Sequence, residues 1–303
     1  MLSYVIVVTY NATRWIEKCF GSLQQSTIPV NIIAIDNGST DGTPEIIRNK
    51  FPLVQVIQNS DNLGFGKANN VGIRKAYDAG ADYVFLLNQD AWVEPDTIEK
   101  LIQAQQREPE FGIVSPVHLN GSGDALDQYF SQYIIPKFCP KLYSDKWLGK
   151  LKDEIYEVEF VNAAAWLLYR KTIETVGGFS PLFFLYAEDD NYLHRLRNHG
   201  LKVGVYPHVS IFHDRHEREP NQYFTNSEEF KIRQLILKYS DPGQEVDIYS
   251  YLSVQRKRII KGLLRLRFDD TRITMTRYQR LKKLASEINA IKKATTNPGM
   301  HFL

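Results

Sequence analysis

Residues 3–11 read SYVIVVTYN and residues 31–43 read NIIAIDNGSTDGT: two apolar, β-branched runs, each stopping abruptly in a polar cluster. A helical stretch near 13–25 separates them. The pattern continues outward from this pair. VQVIQN, YVFLLN and GIVSPV are further short strands, and helical stretches lie near 43–50, 66–79 and 95–106. Thr43 before Pro44, and Pro95 near a first turn, supply start signals for two of these helices. Alternation of this kind, running to about residue 118, predicts an α/β fold with a mostly parallel sheet covered by helices on both faces.

In such sheets ligands sit beyond the carboxyl ends of the strands. The polar clusters fall there. The first strand ends in Thr9-Tyr10-Asn11, and the second in Asp36-Asn37 with Asp41 closing the turn. The third runs into NSDNLGFGKANN, and the fourth ends in Asn88-Gln89-Asp90. Four strand ends rich in acids, amides and glycines converge on one rim.

From about 119 to 157 the alternation breaks into an irregular, aromatic-rich segment. VEFVNAAAWLLYRK then reads as strand, Gly177-Gly178 as a turn, and a helix begins near Glu188 with Leu193 and Leu196 inward and Gly200 as terminator. LKVGVYPHVSIFH reads as strand, turn, strand. The expected organisation is a domain over 1–240, with halves of about 1–118 and 119–240, followed by a basic, mainly helical extension over 241–303.

Composition narrows the class. A chain of 303 residues with 43% hydrophobic and 24% charged residues is ordinary for a globular protein. Cys19 and Cys139 are its only cysteines, so neither a disulfide framework nor a thiolate metal cluster is expected, and a reducing compartment is the natural home. The start MLSYVIVVTYN is too short and lacks the basic leader of a signal peptide. The net charge of +2 conceals an asymmetry: residues 251–303 carry thirteen Lys or Arg against Asp269, Asp270 and Glu287, while the remainder has 24 basic and 32 acidic residues. A basic tail on an acidic body points to an anionic partner or to a solvated helix face.

Each candidate residue has a bland reading beside the functional one. Asp36 and Asp41 bracket a turn, yet a deep strand delivering a carboxylate to the rim also suits a base or ribose. NLGFGKANN lacks both the dinucleotide fingerprint and the P-loop ending, although Lys67 and the Asn69-Asn70 amides could face a diphosphate. Asp90 caps a helix or holds a divalent cation on a diphosphate. His213 ends an inward-facing series with Val209 and Ile211, the pattern of a core histidine. His208 and His216 tempt a zinc reading, but no compact ligand spacing accompanies them. Glu188-Asp189-Asp190 suit a helix N-terminus through the macrodipole, and they also offer a general base.

Together these segments resemble the family-two glycosyltransferases of the GT-A fold, especially the bacterial rhamnosyltransferase-like members. The matching pieces are VVTYN, IDNGSTDGT, NLGFGKANNVGI, LLNQD, the GGF…FF.Y.ED block and His213, in the family's order over roughly residues 3–215. The resemblance implies an inverting, metal-dependent transfer of a sugar from a nucleoside diphosphate to a hydroxyl. Thr9, Tyr10, Asn11, Asp36, Asn37, Asp41, Lys67, Asn69, Asn88 and Gln89 would bind the nucleotide sugar. Asp90 and His213 would hold Mn²⁺ or Mg²⁺, and Asp189 would be the catalytic base. Trp166, Glu188, Asp190 and Arg195 are placed on the acceptor side or in support of it. The family often reads E-D-x-D-L-x-x-R; here Glu188, Asp189 and Arg195 are kept while Asn191 and Tyr192 differ.

The implied partners are a UDP- or dTDP-type sugar, with rhamnose a candidate, and a glycan or lipid-linked acceptor in cell-surface polysaccharide synthesis. In 251–303, Leu252, Ile259, Ile260, Leu263 and Leu264 are expected largely on one helical side, with Lys257, Arg258, Lys261 and Arg265 on the other. Membrane-surface docking of a cytoplasmic protein and packing on the catalytic domain or a second subunit are the two accounts of this tail. A homodimer stays open, and no nucleic-acid fold is present. The rivals are a sugar nucleotidyltransferase, whose glycine-rich signature is replaced here by TYNATRW, and a binding module that has lost catalysis.

Overall fold

The computed structural model describes residues 1–215, 227–266 and 268–303, so His216 lies outside the described residues. In its first part β1 (Ser3–Thr9), β2 (Asn31–Asp36), β3 (Gln55–Gln58) and β4 (Tyr83–Asn88) alternate with helices α1 (Ile16–Gln24), α2 (Thr43–Lys50) and α3 (Phe65–Asp78). β5 (Ala91–Val93), α4 (Thr97–Arg107) and β6 (Phe111–Asn120) follow. Two short helices, α5 (Phe130–Tyr133) and α6 (Leu142–Trp147), then lead to β7 (Tyr156–Glu157), β8 (Ala165–Tyr169), α7 (Arg170–Val176), α8 (Glu188–Asn198) and β9 (Lys202–His213). The tail is α9 (Ser227–Ser240), α10 (Ile248–Leu264) and α11 (Phe268–Thr295).

One sheet takes all nine strands, in the order β3-β2-β1-β4-β8-β6-β9-β5 with β7 beside β9. β1 pairs in parallel with β2 and β4, β2 with β3, and β6 with β9. β8 is wedged antiparallel between β4 and β6, so the run of consecutive strands does not continue directly from β4 to β6. Alternate strand residues feed two cores: Val5, Val7 and Phe85 face one side, and Ile6, Val84 and Leu86 the other. Burial on both faces is why the strands read as continuous apolar runs.

Two local expectations need correcting. VEFVNAAAWLLYRK is strand only at its centre; from Arg170 the chain is helical, because Thr172, Ile173 and Val176 bury one helical face. The segment 202–213 is one strand rather than two. Its register with β6 jumps from Tyr206 opposite Pro116 to Ser210 opposite Val117. Pro207 cannot donate to a ladder, so the extra residues bulge while the strand continues.

The tail helices form a third core with the segment ahead of α8. Ile232, Ile236 and Leu237 of α9, Leu252 of α10, and Leu281, Ala285 and Ile288 of α11 pack with Phe183 and Ala187. Beyond α11 the chain returns to the catalytic body, where His301 O accepts from Gly178 N at 2.8 Å and Phe302 O accepts from the Asn70 amide at 3.2 Å. The single apolar side expected for α10 is split. Leu252 and Ile259 turn inward, whereas Ile260, Leu263 and Leu264 lie exposed among the cations.

Candidate active site

The carboxyl ends of β1, β2 and β4 are laced together by side chains. Asp36 has no solvent exposure; it accepts from Thr9 Oγ1 at 3.0 Å, from Ser39 N at 3.0 Å and from the Ser39 hydroxyl. It therefore ties the end of β1 to the turn through Thr9 and Ser39. Thr9 is equally buried. Gln89 clasps the backbone of Tyr10 from both sides, accepting from its N at 2.7 Å and donating to its O at 3.2 Å. Asn11, at φ 48°, accepts from Thr40 N while its own N donates to Ser39 Oγ. Asp41 is tied by Thr13 and Thr43; those bonds outweigh its desolvation and hold its carboxyl below the usual range. Of this rim, Tyr10, Asn11 and Thr40 are exposed and Ser39 is half-buried.

The loop NLGFG spends its glycines on packing. Gly64, at φ +80°, passes so close to Phe184 O that a Cβ there would collide with it, and Gly66 is pressed against the Phe179 side chain. The Asn37 amide donates to Gly64 O at 3.2 Å, which fixes the loop to the end of β2. Asn69 is buried and donates to Phe65 O, and Asn70 brackets Phe179, accepting from its N at 2.7 Å and donating to its O at 2.8 Å. These amides brace the start of α3 and the Phe179 backbone. Lys67 is exposed on the first turn of α3.

Asp90 and His213 meet where β5 pairs with the end of β9. Asp90 Oδ1 is 3.4 Å from His213 Nε2, and neither side chain has solvent exposure. Asp214 N donates to Asp90 O at 2.9 Å, which locks the two segments. On the far side of the ring, Arg215 Nε donates to Nδ1 at 3.2 Å, and Asp127 Oδ2 lies 3.8 Å from Nδ1 and 3.0 Å from Arg215 Nε. His118 stacks on Phe130 and meets His213 edge-on; burial, then the charges of His213 and Arg215, push its pKa well down. Asn88 Nδ2 is 3.5 Å from His213 Nε2, at the limit of a hydrogen bond. Among the described residues no group of three His, Cys, Asp or Glu side chains is arranged to hold an ion.

The carboxylate helix is held under strain. Tyr186 and Ala187, just ahead of Glu188, both have left-handed φ of 66° and 72°. Two non-glycine residues in that region cost about 1–3 kcal/mol each, and such strain gathers at functional sites. Burial, with the Asp190 charge second, pushes Asp189 up to about 7. Burial, with Asp189 second, pushes Glu188 up to about 8, so the two carboxyls share their titration. Asp190 is also raised by burial, against the lowering pull of His194.

Trp166 and Arg195, expected on the acceptor side or in support of it, lie inside the protein. Trp166 is fully buried, with its indole donating to Val161 O at 3.2 Å and its ring stacked on Phe179. Arg195 is fully buried as well and clamps the turn beneath α8, donating to Val176 O at 2.6 Å and Gly178 O at 2.7 Å. Burial pulls its guanidinium down to about 10. Sequence reading missed Asp127 and His118, because the two acids of GSGDALDQY and a lone histidine in VSPVHLN carry no spacing signal.

A parallel donor half, a polar rim at the strand ends and a carboxylate-led helix on the acceptor side make up the GT-A architecture of sugar-nucleotide transferases. The sequence model described as "Glycosyl transferase family 2" matches residues 4–176, more than half of the chain. The chain belongs to that family and is a glycosyltransferase. It is 29% identical over 232 residues, 69% of this chain and 75% of the relative, to the N-acetylglucosaminyl-diphospho-decaprenol L-rhamnosyltransferase of Mycobacterium tuberculosis. It is 32% identical over 117 residues to the UDP-N-acetylglucosamine–dolichyl-phosphate N-acetylglucosaminyltransferase of Methanococcus voltae, covering 34% of this chain and 46% of the relative. Among solved structures, GalNAc-T7 with UDP, GalNAc and Mn²⁺ superposes with a TM-score of 0.64 at 15% identity, covering 99% of this chain and 55% of that one. S. aureus TarS 1–349 in complex with UDP-GlcNAc gives 0.60 at 14% identity, covering 98% and 88%. These last likenesses concern the fold.

Proposed function

We propose that the chain transfers a sugar, rhamnose being the leading candidate, from a UDP- or dTDP-type nucleotide to a hydroxyl of a lipid-linked glycan in cell-surface polysaccharide synthesis, with inversion. The observation that carries this reading is the place of Asp189, in the first turn of α8 directly behind the strained Tyr186-Ala187 pair, where burial raises its carboxyl. A base needs a pKa near the working pH. Asp189 takes the acceptor proton as the acceptor oxygen bonds to the anomeric carbon. The bond from that carbon to the diphosphate breaks on the opposite face, and its electron pair leaves with the diphosphate.

The donor set beside the diphosphate fits a hard divalent cation. Asp90 and His213 would hold such an ion between them, their facing atoms Oδ1 and Nε2 being 3.4 Å apart. Phosphate oxygens of the donor would complete the ligand set, as is usual for Mg²⁺ and similar ions held by few protein groups. When bound, the ion supplies charge neutralisation to the departing diphosphate. Asn88 need not be acidic, since the diphosphate brings its own negative oxygens. Tyr10, Asn11 and the Ser39-Thr40 turn hold the nucleoside, and exposed Lys67 is within this rim's reach of phosphate charge.

Among the described residues no helix is long and apolar enough to cross a membrane. A cytoplasmic catalytic unit meeting its lipid-linked acceptor at the inner membrane face is part of the proposal, as is the division into a catalytic region over 1–240 and an accessory region over 241–303. The test is a panel of UDP-, dTDP- and GDP-sugars scored by thermal shift and by transfer to a lipid-linked acceptor, with and without Mn²⁺. A nucleotide sugar that stabilises the fold only with Mn²⁺ is expected. Absence of any nucleotide response under both conditions would remove the reading.

A further inference from the structure

The outer end of the α10–α11 hairpin is apolar and bare. Leu264 is 81% exposed and Leu266 73%, flanked by half-exposed Ile260, Leu263, Ile273 and Met275. Leu266 sits at φ 54°, a region that branched side chains avoid, and its side chain gains no core contact in return. The two helices close tightly at this end: a Cβ at Gly262 would strike the Thr271 side chain. Gly262 and Thr271 thus hold α10 close against α11 beside the bare leucines. Residues 256–276 carry seven Lys or Arg against Asp269 and Asp270. Lys257, Arg258, Lys261, Arg265 and Arg272 are exposed around the bare leucines.

We propose that this tip docks on an anionic phospholipid surface, with Leu264, Leu266 and their apolar neighbours entering the headgroup boundary and the surrounding cations resting on lipid phosphates. The charge pattern selects this occupant. A second copy of the chain would bring two strongly basic rims together, whereas an anionic bilayer satisfies the leucines and the cations at once. The inner side of α10, with Leu252 and Ile259, stays committed to the protein core, so docking needs no unfolding. The inference deepens the lipid-linked reading above and rests on it for its purpose, though not for its measurement.

The test is sedimentation of the full chain with phosphatidylcholine vesicles, with and without phosphatidylglycerol. Binding to the anionic vesicles that weakens with salt is expected, with little binding to the neutral ones. The double variant Leu264→Glu, Leu266→Glu should bind at least about tenfold more weakly. Lys261→Glu with Arg265→Glu should lose about fivefold for each cation removed. Circular dichroism and donor hydrolysis, which do not involve the tip, should match the parent in both variants. Equal vesicle binding by parent and variants overturns the proposal, as does parent protein that ignores anionic vesicles. So does a dimer that the leucine variant dissolves, which would assign the tip to a second copy. Vesicle binding with no sugar transfer would instead sink the enzymatic reading and leave the tip's role standing.

Discussion

Asp90 Oδ1 and His213 Nε2 face each other across 3.4 Å with both side chains withdrawn from solvent. Their strands are tied by the bond from Asp214 N to Asp90 O. The separation is thus set by backbone pairing between β5 and β9, not by the side chains' own freedom. Asp90→Asn and His213→Ala should each abolish the Mn²⁺-dependent part of donor stabilisation, measured by thermal shift. Asn88→Ala should keep most of it, because the Asn88 amide meets His213 only at 3.5 Å.

Asp127 stands behind that pair. It pairs with Arg215 at 3.0 Å, and Arg215 Nε donates to His213 Nδ1, so Asp127 reaches the ring that faces Asp90 through that guanidinium. Carboxylates in this position behind a ligating histidine are typically worth 10–100-fold in metal affinity. Asp127→Asn should raise the Mn²⁺ concentration needed for half-maximal transfer by about that factor, with kcat at saturating Mn²⁺ little changed. An unchanged Mn²⁺ requirement would show that Asp127 serves Arg215 alone.

Asp189 must be ionised to act, and its carboxyl is pushed up to about 7 by burial and then by Asp190. Transfer should therefore rise with pH through about 7 and level off above it. Asp189→Asn should lower kcat by about 10²–10⁴-fold while leaving nucleotide-induced thermal shift intact. Near-normal turnover by this variant would remove Asp189 from its role.

The same raised carboxyls make a stability prediction of definite sign. Glu188 and Asp189 hold protons more tightly folded than unfolded. Their folded states are favoured fully below the unfolded carboxylate range, and that advantage is lost as pH rises toward 7 to 8. Glu188→Gln should thus gain melting temperature relative to the parent as pH goes from about 5 to 8. A gap that narrows over that interval would contradict the direction of the shift.

Gly64 carries a backbone prediction. At φ +80° and against Phe184 O, an added methyl meets both strain and a clash. Gly64→Ala should cost more than about 1–2 kcal/mol in chemical denaturation and should lower transfer, because Phe184 lies two residues ahead of the strained pair Tyr186-Ala187.

Local pattern made much of this legible. β1, β2, β4 and α2 fall where apolar runs and the Thr43-Pro44 start placed them, since a buried parallel strand writes itself as an unbroken β-branched stretch. The head of α8 and its end before Gly200 were equally plain. What escaped was set by partners distant in sequence. β8 enters antiparallel between β4 and β6, and nothing in AWLLY states its neighbours. The site divides the same way. Convergence at strand ends pointed to Asp90 and the 36–41 turn, but motif position could not show that Asp36, Asn69, Trp166 and Arg195 spend their polar groups inside the protein. The split of α10 into an inward and an outward apolar face likewise depends on where α9 and α11 lie.

The Asn70 amide that braces Phe179 also donates to Phe302 O, a partner 232 residues away in the chain. The Gly177-Gly178 turn under α8 receives His301 in the same way. During synthesis the first half of the sheet and the carboxylates of α8 therefore emerge long before residues 301–302, which floor them. Contacts of such long sequence separation form late. A nascent chain stalled after α8 should show a protease-resistant first half and an α8 that is still cleavable until residues 301–302 have docked.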